Sequence, residues 1–170
     1  MHLKQKWRRR LIFGLLVALG ALSWPLSGKA LDPAPDWQLK DLQGNEVRLS
    51  DYRGKVIILD FWESLCAPCC WEIPSLVDLQ RRNEARGLVV IGISYDRWSS
   101  LKGLPSFMQR MKINYPIVLG TSETKKRYGA TEGYPTTFVI DRQGEIVTKH
   151  LGFTKGDVFE KEIEPLLRAN

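Results

Sequence analysis

Three cysteines, Cys66, Cys69 and Cys70, stand within five residues, and the 170-residue chain has no others. The first two form a Cys-x-x-Cys pair. An almost continuously apolar run, Val56 to Phe61, leads into the pair, and a helical pattern follows from Cys69. A cysteine at a helix start sits beside backbone N–H groups that lack intrahelical partners, at the positive end of the helix dipole. Both effects favour the thiolate and lower the thiol pKa. Two intervening residues let one helical turn bring the sulfurs within disulfide distance. The chemistry so encoded is reversible dithiol–disulfide exchange, with Cys66 as attacking thiol and Cys69 as resolving thiol. A structural disulfide framework would spread its cysteines along the chain to close long loops, so the clustering indicates a redox-active site. Zinc sites also use Cys-x-x-Cys, so other residues have to carry the assignment.

The surrounding pattern supplies a scaffold. Val56 to Phe61 has the near-continuous apolar character of a central strand covered on both faces. A helix is predicted from about Cys66 to Ala85, kinked at Pro74, with Ile73, Leu76 and Leu79 inward and Gly87 as its stop. Upstream, Trp37 to Leu39 and Glu46 to Leu49 alternate around Asp41–Asn45 as a hairpin. Leu88 to Ser94 reads as a second buried strand. Ser99 or Ser100 is placed to cap a helix with Leu104, Phe107, Met108 and Met111 on its apolar side. Pro116 to Leu119 is a short strand before a helix near Ser122 to Tyr128. Thr137 to Ile140 and Glu145 to His150 form a hairpin over Asp141–Gly144. Thr154 begins a last amphipathic helix with Val158, Phe159, Ile163, Leu166 and Leu167 inward. Mixed strands and helices in this order indicate an α/β domain.

Phe61-Trp62-x-x-x-Cys66-x-Pro68-Cys69 resembles the active site of the thioredoxin superfamily. Glu72-Ile73-Pro74, Ala34-Pro35-Asp36-Trp37 ahead of Leu39–Gly44, and Gly133-Tyr134-Pro135-Thr136-Thr137-Phe138 running on to Gly144 are similar to the TlpA/ResA branch, the extracytoplasmic thiol–disulfide oxidoreductases. The resemblance spans nearly everything after the N-terminal segment. It implies a thioredoxin-like fold, a central mixed sheet flanked by helices, with an N-terminal β-hairpin extension and an inserted αβ element over residues 36–170. It implies protein disulfide substrates, commonly apocytochrome c or other periplasmic proteins, and a membrane thiol carrier as electron donor. No cofactor and no metal is called for.

The resemblance also assigns roles. Asp60 matches a buried acid that takes the proton of the resolving thiol; a desolvated carboxyl there would have a raised pKa and act as acid and base. Glu72 matches an acid that modulates the dithiol from one helical turn beyond Cys69. Pro135 matches the cis-proline that faces the cysteines, leaving the Tyr134 backbone free to pair with an extended substrate. Tyr134 is bulkier than the residue common there, and would narrow the groove or hydrogen-bond a sulfur. Trp62 is expected beside the site, binding substrate with Tyr134 and Pro135. Three departures stand out: Ala67-Pro68 in place of Gly-Pro, Leu65 where an aromatic residue is frequent, and Cys70 in place of Lys or Arg. Cys70 then reads as a bystander, a backup redox thiol or a dimer-forming thiol.

The net charge of +6 invites a nucleic-acid reading, but six of the 25 basic residues lie in residues 1–30, which hold no acid. Removing them leaves 19 basic against 19 acidic residues, so no basic binding surface is indicated. The basic stretch ending at Arg10, the apolar run Leu11 to Trp24 and the small residues before Ala30 read as an export signal. Leu11 to Leu26 is slightly shorter than the roughly 20 residues that span a bilayer comfortably. A cleaved signal is therefore favoured over an N-terminal membrane anchor, with residues 31–35 as a linker and a periplasmic or extracytoplasmic location. Two rival readings exist. Cys66, Cys70 and His150 form the ligand set of a thioredoxin-like copper chaperone, and soft thiolates with imidazole suit copper. A peroxiredoxin-like enzyme would need Thr three residues before its reactive cysteine, where this chain has Glu63.

Overall fold

The computed structural model of the chain describes residues 32–169. The export segment inferred for residues 1–30 lies outside them. No helix among the described residues is long and apolar enough to cross a membrane.

In chain order the strands are β1 (Asp32–Pro33), β2 (Gln38–Asp41), β3 (Glu46–Arg48), β4 (Val56–Trp62), β5 (Leu88–Ser94), β6 (Ile117–Leu119), β7 (Thr136–Ile140) and β8 (Glu145–Leu151). Five helices join them: α1 (Ala67–Asn83), α2 (Trp98–Leu101), α3 (Leu104–Met111), α4 (Ser122–Arg127) and α5 (Gly156–Arg168). The strands make one mixed sheet in the order β1-β8-β7-β4-β5-β6-β2-β3. At its centre β4 runs parallel to β5 and antiparallel to β7. All seven residues of β4 are buried, which is why its sequence reads as an apolar run and not as an alternation.

Successive side chains of a strand point to opposite faces, and β4 shows the division. Val56, Ile58 and Trp62 join a core with Ile73, Leu76 and Leu79 of α1, Leu104 and Phe107 of α3, and Phe159, Ile163 and Leu167 of α5. Ile57, Leu59 and Phe61 join a second core with Trp37, Leu39, Leu49, Tyr128 and Ala130. Asp60 falls on the first face, beneath α1. Full burial of each large apolar side chain is worth about 1.5–3 kcal/mol, so these two layers fix where the strand ends and hence where the cysteines stand.

The predicted hairpin forms as β2–β3, and its place is at the sheet edge, where Lys40 pairs with Leu119 of the inserted α3–β6 element. Asp32 and Pro33, in the stretch read as a linker, pair with β8. Two helix starts differ from expectation. The residues around Ser99 and Ser100 form the separate one-turn α2, in which the Ser100 hydroxyl donates to the Arg97 carbonyl at 3.0 Å, and α3 begins after Gly103 with no side-chain cap. The last helix starts at Gly156 with Lys155 as its N-cap; the Thr154 hydroxyl donates to the Gly152 carbonyl at 3.3 Å and caps nothing, and its N–H goes to the Glu72 carboxylate at 2.6 Å.

Gly92 of β5 lies where two core side chains close over the backbone. A Cβ there would stand 2.5 Å from Ile117 Cδ1 and 2.7 Å from Trp62 Nε1. Gly92→Ala is expected to destabilise the domain by about 1–3 kcal/mol through overpacking. A urea titration should show a lowered midpoint with an unchanged slope.

Candidate active site

β4 ends at Trp62, and a short loop carries the chain to Cys66, the N-cap of α1. Cys66 has extended backbone geometry, and its sulfur accepts the Cys69 N–H at 3.2 Å. A sulfur thus occupies the place where Ser or Asp usually caps a helix, and the unpaired N–H groups of that turn face it. Pro68 in the first turn removes an N–H where none is needed. Cys66 and Cys69 are joined as a disulfide with Cα atoms 5.3 Å apart. Cys66 is half-buried, whereas Cys69 has no solvent exposure. Of the two sulfurs' residues, only Cys66 is open to solvent.

The loop before Cys66 is held by a group that the sequence did not single out. The Asp96 carboxylate accepts the Ser64 N–H at 3.1 Å, the Ser64 hydroxyl at 2.5 Å and the Ser94 hydroxyl at 2.9 Å. Asp96 lies just past β5, so the parallel β4–β5 pair positions the approach to the cysteine.

Beneath α1 the expected acids do come together. Asp60 is 1% exposed and Glu72 is fully buried. Glu72 shares the inward helical face of Cys69, Ile73 and Leu76. Asp60 is registered opposite Thr137 of β7. The Thr137 hydroxyl lies 3.3 Å from Asp60 Oδ1 and 2.9 Å from Glu72 Oε1. One hydroxyl carries one hydrogen. It can donate to Glu72 while accepting from a protonated Asp60, which links the two carboxyls when they hold a single proton between them.

Burial pushes the Asp60 carboxyl well above the usual range, and the Glu72 charge pushes it further, against a smaller lowering by Thr137. Glu72 is also raised by burial, but the Thr154 N–H, the Thr137 hydroxyl and His150 all favour its anion. Asp60 Oδ2 has no partner among the described residues. Of the two, Asp60 is therefore the carboxyl that holds a proton the more tightly, and Glu72 the one whose anion the site favours. Thr137 was legible only as part of the Pro-Thr-Thr block; its bridging position comes from the β4–β7 register.

Pro135 is preceded by a cis peptide bond, as expected. It is buried, and its carbonyl accepts the Gly152 N–H at 2.8 Å. Tyr134 is half-buried, just outside the β7 ladder. Its hydroxyl meets Lys125 Nζ at 2.7 Å and its ring stacks on Tyr95, centroids 5.6 Å apart. The hydroxyl is thus engaged by a lysine and not by a sulfur. Burial, with the Glu63 charge second, raises its pKa.

Trp62 departs from its expected role beside substrate. It has no exposure and stacks on Phe107 at 5.5 Å, so it packs the core under the site and cannot touch a partner. The strand alternation that puts it on the face of Ile58 could have shown this. Leu65, in contrast, is 85% exposed. The copper ligand set does not assemble: Cys66 is in the disulfide, the Cys70 thiol points to the Ser64 carbonyl at 3.6 Å, and His150 Nε2 lies 3.0 Å from Glu162 Oε2. Among the described residues no cluster of three metal-ligating side chains forms. Burial raises the Cys70 thiol pKa, which makes it a poorer nucleophile than a helix-capping thiol.

A helix-capping Cys-x-x-Cys disulfide, a cis-proline turn and buried acids on one mixed sheet define a thioredoxin-fold thiol–disulfide oxidoreductase. Residues 30–149 match the AhpC/TSA family, and the chain belongs to it, among the ResA-type thiol–disulfide oxidoreductases. The thiol–disulfide oxidoreductase ResA of Geobacillus kaustophilus is 34% identical over 134 residues, covering 78% of this chain and 75% of that protein. The thioredoxin-like protein YneN of Bacillus subtilis is 32% identical over 130 residues, covering 75% of each. The crystal structure of a thiol:disulfide interchange protein of the thioredoxin family from Chlorobium tepidum is similar with a TM-score of 0.74 at 27% identity, covering 83% of this chain and 99% of that one.

Proposed function

We propose that the chain is an exported reductase of protein disulfides, acting in a periplasm or at a cell exterior, with apocytochrome c among its substrates. The observation that carries this reading is the half-buried Cys66 capping α1 above a wholly buried Cys69, with two linked carboxyls on the same face of the sheet. In the reduced protein the Cys66 thiolate attacks one sulfur of a substrate disulfide. A mixed disulfide forms and the other substrate sulfur leaves as a thiolate. Cys69 then gives its proton to the Asp60–Glu72 pair and attacks Cys66 Sγ. The second substrate thiol is released, two electrons have passed to the substrate, and the Cys66–Cys69 disulfide remains. Tyr134 and Pro135 border the place where the substrate backbone lies during this exchange.

A membrane thiol carrier would return the enzyme to the dithiol. The basic and then apolar N-terminal stretch supports export, and cysteines confined to one redox site support a catalytic role over a stapling one. Acid quenching and alkylation of cells that express the full chain test the reading. Cys66 and Cys69 are expected mostly as thiols, in the exported fraction. A mostly oxidised pool would reverse the direction, and recovery in the cytoplasm would remove the location.

A further inference from the structure

One row of residues crosses the sheet at the level of Asp60. His150 of β8 stands opposite Thr137 of β7, and Thr137 stands opposite Asp60 of β4. Directly opposed residues of an antiparallel pair point to the same face, with Cβ atoms about 4.5–5.5 Å apart. His150 therefore lies beside the hydroxyl that bridges Asp60 and Glu72. Its ring meets the wholly buried Phe159 of α5 edge to face, with centroids 5.2 Å apart. Its Nε2 lies 3.0 Å from Glu162 Oε2, and the Thr148 hydroxyl donates to the same oxygen at 3.0 Å. These contacts hold the imidazole in one place at the edge of the buried acids. His150 and Glu162 keep 20% and 21% exposure, so they exchange protons with water, whereas Asp60 and Glu72 are closed off from it.

We infer that His150, anchored by Glu162, is a positioning residue for the resolving step: its positive charge keeps the Glu72 carboxyl ionised, so that the buried pair can still take the Cys69 proton in acidic surroundings. The inference rests on the reading of the site as one in which Cys69 gives its proton to that pair. A pair holding one proton has an anion free to take another, and a pair holding two has none. Burial is the main influence on Glu72 and raises its pKa, and the Thr154 N–H, the Thr137 hydroxyl and His150 oppose it. Of these three, only His150 brings a full charge, and only its charge changes with pH. Among the described residues no other cation takes this place. Lys149 turns to the opposite face of the sheet, over the Phe138 ring. Arg82, Arg86 and Arg168 pair at the surface with Asp78, Glu160 and Glu164. The acids that face His150 are Glu162 from α5, Glu72 from α1 and, across Thr137, Asp60 from β4. Removing the imidazole takes away a cation and leaves the Glu162 charge unopposed, and both changes push Glu72 toward its neutral form.

The test uses the full chain carrying Cys70→Ser, reduced beforehand, and glutathione disulfide at a concentration that makes formation of the mixed disulfide faster than its decay. Acid quenching and mass spectrometry follow the Cys66–glutathione adduct as it forms by Cys66 attack and decays by Cys69 attack, over a range of about pH 4 to 9. The decay rate is expected to rise with pH to a plateau. In His150→Gln the midpoint of that rise should move up by about 0.5–1 pH unit, so that decay below it is about threefold to tenfold slower. The plateau and the formation rate should stay within about twofold, because Cys66 attack does not use the pair. His150→Lys keeps a cation and should keep the midpoint of the parent chain, and it carries the test should His150→Gln not fold. In the Glu72→Gln background His150→Gln should move the midpoint no further. An unmoved or lowered midpoint, an equal slowing at every pH, a slower formation phase, a raised midpoint in His150→Lys or a shift that persists without Glu72 would each overturn the inference. Failure of the parent chain to form any mixed disulfide would instead remove the reading of the site on which the inference rests.

Discussion

Cys69→Ser is expected to stop the reaction at its midpoint. Cys66 Sγ stays accessible and still capped on α1, so it attacks a substrate disulfide as before. No second sulfur is then available to release the product, because the remaining thiol, Cys70, points to the Ser64 carbonyl and has its pKa raised by burial. The variant should accumulate one covalently bound substrate per chain, visible by mass spectrometry and cleared by dithiothreitol. Steady-state turnover should fall on the order of 10³-fold or more, the scale seen when one member of a catalytic unit is removed. Cys66→Ser should lose turnover to the same extent and trap nothing. Clearance of the adduct by the Cys69→Ser chain itself, lost again on adding Cys70→Ser, would make Cys70 a working resolving thiol.

Asp60→Asn is expected to separate chemistry from stability. The rate of Cys69 attack on a preformed mixed disulfide should drop by about 10²-fold, within the range of a lost general base. Glu72→Gln should slow the same step less, because Glu72 is the member of the pair whose anion is already stabilised by the Thr154 N–H and Thr137. Stability should move the other way. Asp60 binds its proton more tightly in the folded chain than in the unfolded one, so the native state holds the extra proton. Stability then falls as pH rises from the ordinary aspartate pKa of about 3.9 toward the raised folded value. Below that window both states are protonated and the cost is absent; above it the cost is complete. Asp60→Asn should therefore be more stable than the unaltered chain at pH 8, by about 1–3 kcal/mol, the scale of a buried polar group without a partner. Urea midpoints at pH 4 and pH 8 check this. A gap that is equal at both pH values would mean that Asp60 ionises normally.

The elements that position the dithiol could be read from the chain because each rests on a local cause. The apolar run of β4, the cysteine at the start of α1, Gly87 past its end and the Pro135 turn all carry their signals in a few adjacent residues. Positions set by contact between distant strands did not. Thr137 becomes a bridge between Asp60 and Glu72 only through the β4–β7 register. The β2–β3 hairpin finds its place beside β6 through pairing across some 80 residues of chain, between Lys40 and Leu119. Thr154 looked like a helix start, but its hydroxyl turns to the Gly152 carbonyl and its N–H to Glu72 across the fold, a contact no local signal announces. Trp62 and Trp71 show the same limit at the level of faces. Both are large and near the cysteines, yet one is in the core under β4 and the other is in solvent. The alternation of the strand and the 3.6-residue period of α1 separate them once the central strand is known to be covered on both sides.

The reduction potential of the Cys66–Cys69 couple, measured against glutathione or dithiothreitol buffers in the chain carrying Cys70→Ser to prevent shuffling, bears most directly on what the site is for. A reductase should lie near about −270 mV or lower, in the range of thioredoxin. A potential near about −120 mV, as in strongly oxidising relatives, would make the protein a disulfide donor and contradict the direction assigned to it.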